Sequence, residues 1–590
     1  MFFKTRSFNI NIVFISFLNI CKKRPFLLLL VFYFILGNVL FYNIWLHPLS
    51  YIISTNNGDQ IGSLWRLTWP VYALTHHIFI LHSDYLGYPG GFNVMWTYQL
   101  LSGILMAPIT LLFNSVLSYN VLTIIGFSLS AWFASIFASK FMHKWSAIIT
   151  AGLMYGFGPY QLAQSMGHLA LTSVCIAPLI GIVLYQILQE QQWPFWKSGI
   201  LLGFLLSIQF YIFLETFTIL IFYCGLTFVT YILYKGVKKI NYAYIFRSFE
   251  ICFLSLVVLC GYAIFYLITG PNHLGGGING VQPSGVVVGN LTGFIIPSPT
   301  QLLAFNHNII LNPHGGIVIN SMEWDNYLGI PLLALITVGF FRIKTKTFKF
   351  FVLLLGLTIL LDLGQDIWLT VSYNTHILFI AKIFDYIPLM KNILWSRVGF
   401  LLDLFSGILL GLYIESEKSR RFSKKYILNT CLFLGIFLTM LPYLPRPTVE
   451  APKTPKFFTT YVEKLPQGVA LLIAPYVHDG SNDNPEYWQI ESGYHFKMPE
   501  GYFFYPGPNG PEGYPMSPLT YKMFLIENGK SSFNFDKSMQ DTYLVNLKEI
   551  KVKGVVIGPM PYRQTMVIFF EKLLAKKPKQ IQGVQYWALH

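Results

Sequence analysis

NNGDQIGSLWRLTWPVYAL (residues 56–74) puts one acid, Asp59, in front of a run rich in Trp, Leu and Tyr. Directly before it, residues 26–46 form an apolar stretch long enough to cross a bilayer. A carboxylate is costly beside hydrocarbon unless it is solvated, caps a helix or does chemistry. A helix starting at Gly58 or Asp59 aligns Ile61, Leu64, Trp65, Thr68 and Tyr72 on one face, which is expected to lie on the bilayer. Asp59 then has two readings. One is an N-cap. The other is a carboxylate held at the lipid–water boundary as a general base for a hydroxyl or amine.

The rest of the chain fits a membrane setting. Of 590 residues, 54% are hydrophobic, 17% aromatic and only 11% charged, against about 25% charged in soluble proteins. The apolar residues fall in runs of near-spanning length, so the class is a polytopic α-helical membrane protein. The net charge of +15 would suggest nucleic acid in a soluble chain. Here the basic residues stand in short blocks between apolar runs, as the positive-inside rule requires, and no nucleic-acid partner is expected. The six cysteines avoid the polar C-terminal stretch and show no CxxC spacing. No disulfide framework follows.

Residues 1–25 read as a cytoplasmic amphipathic segment rather than a cleavable leader, because CKKRP follows FNINIVFISFLNI. The blocks at 22–24, 140–144, 235–239, 342–349 and 417–425 are expected inside. An odd number of crossings must then separate residue 47 from Lys140. The Pro108-bearing run 98–113 is therefore expected to be re-entrant or interfacial, leaving about 11 spans. A transmembrane domain over 26–442, with large outer loops at 47–98 and 270–326, is followed by a Pro-rich linker. A soluble extracytoplasmic α/β domain at 443–590 carries GVALLIAPY and IKVKGVVIGPM as buried strands.

Other chemical candidates face the same side. YLGYPGGFNVMW (85–96) is either a surface turn or a glycine-bared wall, with Tyr88, Phe92 and Trp96 to stack on a sugar. Glu323 and Asp325 stand at the mouth of a span, as solvated loop acids or as substrate-binding groups. Arg397 opens another span, either snorkelling or neutralising a phosphate, with Lys391 a lesser candidate. Glu215, Gln164 and His168 lie near span ends, Glu215 reading as the partner of a buried donor. GGGING (275–280) has no strand–turn–helix context for a nucleotide site. No Walker motif or nucleophile elbow is present, and the histidines of THHIFILHSD (75–84) point different ways for a metal.

The ordered stretches GDQIGSLWRLTW, YPGGFNVMW, LMYGFGPYQLAQSMGHL, IQFYIFLE, YLGIPLL and FKMPEGYFFYPGPNG resemble the GT-C superfamily of membrane glycosyltransferases, and more closely a group of GT-C-like bacterial proteins. The resemblance implies a GT-C-like fold and a polyprenyl-phosphate-linked sugar donor. Transfer would be to a glycan, lipid or protein acceptor on the outer face of the inner membrane. It maps the first-loop base onto Asp59 and the donor-phosphate cation onto Arg397; one base without a protein nucleophile implies inversion. Two departures stand out: Gln60 follows Asp59 where many relatives have a second acid, and the first loop has no DxD, so a divalent metal is not indicated. The rival readings are a transporter or lipid-glycan flippase, which often carries internal symmetry not seen here, and a nonenzymatic scaffold.

Overall fold

The computed structural model describes residues 25–55, 59–236, 239–274, 287–304, 322–370, 373–378, 380–387, 390–417, 424–477, 483–507, 510–512 and 516–589. The amphipathic segment expected before Pro25, the 22–24 block and much of the 270–326 loop fall outside these residues.

Apolar helices make up the first three quarters of the chain, which is an integral membrane protein. They are α1 (Pro25–Leu40), α2 (Gln60–Thr75), α3 (Leu100–Leu112), α4 (Ser115–Ala138), α5 (Trp145–Gly156), α6 (Pro159–Gln164), α7 (Ile176–Tyr185), α8 (Phe195–Ile212), α9 (Leu214–Lys235), α10 (Tyr242–Thr269), α11 (Ile330–Arg342), α12 (Lys346–Asp362), α13 (Gly399–Ser416) and α14 (Lys424–Met440). Among the described residues five helices are long and apolar enough to cross a bilayer: α4, α8, α9, α10 and the run Trp395–Ser416 that contains α13. The remaining expected spans are shorter or interrupted. The run 146–165 breaks between α5 and α6 at Gly158, where a Cβ would lie 2.1 Å from Met154 O and 2.5 Å from Asp403 Oδ2. Asp403 instead accepts the Tyr160 amide at 3.0 Å, so an acid satisfies the first turn of α6.

The two ends of the bundle differ in charge. At one end Lys140 pairs with Glu190 at 3.3 Å. There too Lys144 donates to the carbonyls of Glu415 and Glu417 at 2.8 and 2.7 Å, and Lys235 donates to Gln189 at 2.9 Å. The described parts of the basic blocks thus collect together. At the other end α3 begins beside Gln99 and finishes where Asn114 donates to Leu49 O at 2.8 Å. Its 13 residues rise about 20 Å, short of the roughly 30 Å hydrocarbon core.

Helix α2 does not lie on a bilayer, as its sequence suggested. Protein encloses it. A Cβ on Gly103 of α3 would sit 2.5 Å from Leu67 O, so glycine permits the close crossing. On its other side the predicted apolar face meets the C-terminal region. Trp65 Nε1 donates to Gln489 at 2.7 Å, Thr68 bonds Tyr494 at 2.6 Å, and Tyr72 stacks on Tyr494 with centroids 4.5 Å apart. An aromatic stripe suits lipid and protein equally in composition; the polar tips of Trp65 and Thr68 find partners only in protein.

The segment after α14 is not a free linker. Strand β1 (Tyr51–Ile53) pairs antiparallel with β2 (Thr448–Glu450). Arg446, 2% exposed, donates to Leu162 O at 2.5 Å and Ser165 at 3.3 Å. Beyond it a five-stranded sheet is built from β3 (Val469–Ala474), β4 (Phe496–Lys497), β5 (Gly554–Ile557), β6 (Lys579–Ile581) and β7 (Val584–Ala588). Its order is β6-β7-β5-β3-β4, with β3 parallel to β4 and β5. Every residue of β3 is buried. Leu471 and Ile473 join the core shared with the membrane helices, while Ala470, Leu472 and Ala474 pack with the covering helices Pro518–Glu527 and Arg563–Leu574. The alternation of a strand therefore seats one sheet face on the bundle.

Glu500 lies under this seat. Its Oε1 accepts the Ile473 amide at 2.8 Å and its Oε2 has no partner. Burial pushes its carboxyl from 4.5 to about 8. The folded state holds this proton between those values while the unfolded state releases it, so stability falls as pH rises through that window. Melting temperature measured from pH 5 to 8.5 is expected to decline, and Glu500→Gln is expected to flatten the decline. An equal slope in the variant would remove Glu500 as its source.

Candidate active site

At the end of the bundle away from the lysines, a cavity of about 170 Å³ opens between α2, the 96–99 turn, the 168–171 turn, the α8–α9 junction, the segment before α13 and residues 502–504. Asp59, Ser63 and Arg66 all line it. They are spaced i, i+4, i+7, one polar stripe of α2 opposite its buried aromatic face.

Asp59 occupies the N-cap position, and its backbone carbonyl accepts the Ser63 amide at 2.9 Å, but its side chain makes no capping bond. The carboxylate turns into the cavity, about a third exposed, with His168 Nε2 3.9 Å away. Tyr502 donates its hydroxyl to Oδ1 at 3.4 Å. The charge of Asp59, with burial second, holds that hydroxyl's pKa well above its ordinary value, so Tyr502 remains a donor. Arg66 lies over the Tyr502 ring, 5.4 Å from its centroid, and donates to Tyr502 O at 3.4 Å. The C-terminal region thus supplies one wall of the cavity, and Phe503 stacks on Phe92 at 4.5 Å.

Arg397 also lines the cavity, but as part of a buried ion cluster. One guanidinium nitrogen contacts Glu215 in a short hydrogen bond, and the other donates to Glu323 at 3.0 Å. Glu215 further accepts the Leu394 amide at 3.0 Å. Only Nε of Arg397 has no partner. Burial alone would raise the Glu323 carboxyl; Arg397 and then His168 outweigh it and hold it below the usual range. His168 Nδ1 is 3.6 Å from Glu323 and 2.7 Å from Gln164 Oε1. A chain of polar contacts therefore runs from Asp59 through His168 and Glu323 to Arg397.

The remaining expectations separate. Trp96 lines the cavity, its indole N–H without a partner. Asp325 does not line it: the residue is 1% exposed, bonded to Gln164 at 2.7 Å, and burial and then Glu323 push its carboxyl well above the usual range. Asp325 is thus an interior group set off from the cavity rather than part of its lining. Tyr88 lies against the C-terminal core, with Lys497 5.7 Å over its ring, so it braces that contact instead of facing the cavity. The Lys391 side chain lies outside the described residues. Sequence reading passed over Arg66, whose signal was the i, i+7 spacing from Asp59, and Tyr502, whose approach to α2 bridges more than 400 positions. Among the described residues no three His, Cys, Asp or Glu side chains are grouped to hold a metal ion.

Because Arg397 neutralises two buried acids, Arg397→Ala is expected to cost about 3–5 kcal/mol. Combining it with Glu215→Gln should recover part of that loss. Unfolding in detergent measures both, and an Arg397→Ala variant of unchanged stability would exclude the ion cluster as a structural element.

No family model and no curated protein sequence matches the chain. Among solved structures, the arabinofuranosyltransferase AftD from Mycobacteria, seen by single-particle cryo-EM, is similar with a TM-score of 0.56 at 12% identity, over 96% of this chain and 40% of AftD. A mutant form of AftD matches at 0.55 with the same identity, over 96% of this chain and 41% of that one. The oligosaccharyltransferase AglB from Archaeoglobus fulgidus has a TM-score of 0.46 at 11% identity, over 91% of this chain and 70% of AglB. The chain spans about 40% of the length of AftD. The likeness is one of fold: this chain shares its fold with part of AftD.

Proposed function

We propose that the protein is an integral-membrane glycosyltransferase that moves a sugar from a polyprenyl-phosphate donor to a hydroxyl or amine of a cell-envelope acceptor. The observation that carries this reading is Asp59: a helix-terminal carboxylate that declines to cap its helix and faces a cavity lined also by two arginines. The carboxylate takes the acceptor proton as the acceptor atom bonds to the anomeric carbon. The bond from that carbon to the phosphate oxygen breaks, and its electron pair leaves with the phosphate. A single displacement of this kind inverts the anomeric carbon. Tyr502 and His168 hold Asp59 in place. The donor for the departing phosphate is the guanidinium of Arg66 on the cavity wall, with the charge of Arg397 behind it. This reading moves part of the cation's role from Arg397, whose charge is already shared by two acids, to Arg66. Trp96 offers a ring face to a sugar.

The same reading orients the chain in the inner membrane: the basic end of the bundle is cytoplasmic, and the cavity and C-terminal domain are outside. A reporter that is active only in the cytoplasm, fused after residue 590, is expected to stay dark. A bright signal would reverse the orientation.

Asparagine caps a helix as well as aspartate does, so Asp59→Asn separates a base from a cap. The variant is expected to keep its melting temperature and its donor binding while turnover of the purified enzyme drops by roughly 100-fold or more. Full activity in a normally stable Asp59→Asn would end the assignment of Asp59 as base. Arg66→Ala is expected to weaken donor use instead, with Arg66→Lys intermediate.

A further inference from the structure

A second and larger cavity, about 410 Å³, lies toward the opposite end of the bundle, between α4, α7, α9, α12 and α13. Its size falls within the range of small-molecule sites. Helix α9 links the two cavities: Glu215 at its start lines the first, and Leu220 to Lys235 line the second. The deep part is apolar and aromatic, with Phe137, Phe351, Leu404 and Phe405 among its walls. Water gains few hydrogen bonds in such a space, whereas a hydrocarbon chain from the surrounding bilayer fills it without loss.

The outer part of this cavity is cationic. Lys235, Lys239 and Lys346 all line it, and none of the three is paired with a carboxylate among the described residues. Lys235 is held in position by its bond to Gln189 and by Tyr231, over whose ring it lies at 5.6 Å. Lys346 and Thr347 form the first turn of α12, whose N-cap, Thr345, makes no side-chain bond to the free amides there. Helix N-termini of this kind favour anions. The wall also carries Tyr223 and Tyr234, and the Tyr234 hydroxyl is without a hydrogen-bond partner. Unpaired cations at the mouth, an orphaned hydroxyl and an apolar interior describe one amphiphile: an anionic phosphate head on a hydrocarbon tail.

We propose that this cavity binds an anionic membrane phospholipid, with its phosphate among Lys235, Lys239 and Lys346 and an acyl chain between α4, α9 and α13. The occupant is a resident lipid of the leaflet at the basic end, distinct from the sugar donor that the first cavity would take. The test uses the full chain, purified in detergent and stripped of lipid. Dioleoyl phosphatidylglycerol is titrated against dioleoyl phosphatidylcholine, which has the same tails and a zwitterionic head, and binding is read by native mass spectrometry and thermal shift. The expected result is saturable retention of phosphatidylglycerol, at least about tenfold tighter than phosphatidylcholine. The triple variant Lys235→Gln, Lys239→Gln, Lys346→Gln should abolish that preference, and Thr227→Trp, which fills the cavity, should remove binding of both lipids. Equal binding of the two lipids by the unaltered protein would overturn the proposal, whatever the variants do. So would a preference that survives the triple variant, or displacement of phosphatidylglycerol from the unaltered protein by equimolar polyprenyl phosphate, which would make the carrier the occupant. None of these readouts depends on glycosyl transfer, so failure here leaves the reading of the first cavity standing.

Discussion

A guanidinium taken out of water has to be met by opposite charge, and Arg397 is met twice. Glu215 comes from the start of α9, Glu323 from the segment before α11, and Arg397 from the turn that leads into α13. Three separate parts of the chain are thereby held at one point at the end of the bundle. A buried ion cluster of this kind adds little net stability compared with apolar packing. Its consequence is geometric: removing Arg397 leaves two buried carboxylates uncompensated, and removing either acid costs the guanidinium one of its two partners, so the three segments keep their register. Glu323 then positions His168, and His168 stands beside Asp59. The polar end of the bundle is organised outward from this one cation.

The second constraint is the enclosure of α2. Trp65, Trp69, Tyr72, Tyr85 and Tyr494 form one aromatic box, the two tryptophans stacked with centroids 5.3 Å apart and planes 6° from parallel. The box joins the first loop to the C-terminal sheet. It also rotates α2 so that the opposite stripe, Asp59, Ser63 and Arg66, faces the cavity. The C-terminal region accordingly belongs to the site rather than hanging from the membrane domain by a tether: Tyr502 reaches Asp59, and Arg446 and β2 pin the connecting segment against the bundle. The same sheet seat buries Glu500 against the Ile473 amide.

The two cavities divide the chemistry of the bundle by end. One gathers acids, arginines and aromatic rings; the other gathers lysines around an apolar interior. This division follows from the placement of the charged blocks along the chain, because consecutive helices return them to the same face.

Several of these features were legible in the sequence. Membrane class follows from apolar runs and scarce charge, since hydrocarbon admits little else. The strands VALLIA and GVVI and the helix near the C-terminus are written in their hydrophobic periods. Asp59 stood out because a lone acid after an apolar run needs a reason. What the tertiary structure alone decided was which side of each element met which partner. An aromatic stripe on α2 reads the same against lipid or protein, and only Gln489 and Tyr494, more than 400 residues away, satisfy its polar tips. Arg397 reads as a free cation until Glu215 and Glu323 are brought to it. Asp325 and Tyr88 read as ligands until packing buries the first and sets the second against the C-terminal core. Local sequence carries period and polarity; pairings between distant segments depend on how the whole chain packs, and charge in a membrane interior is given its meaning by those pairings.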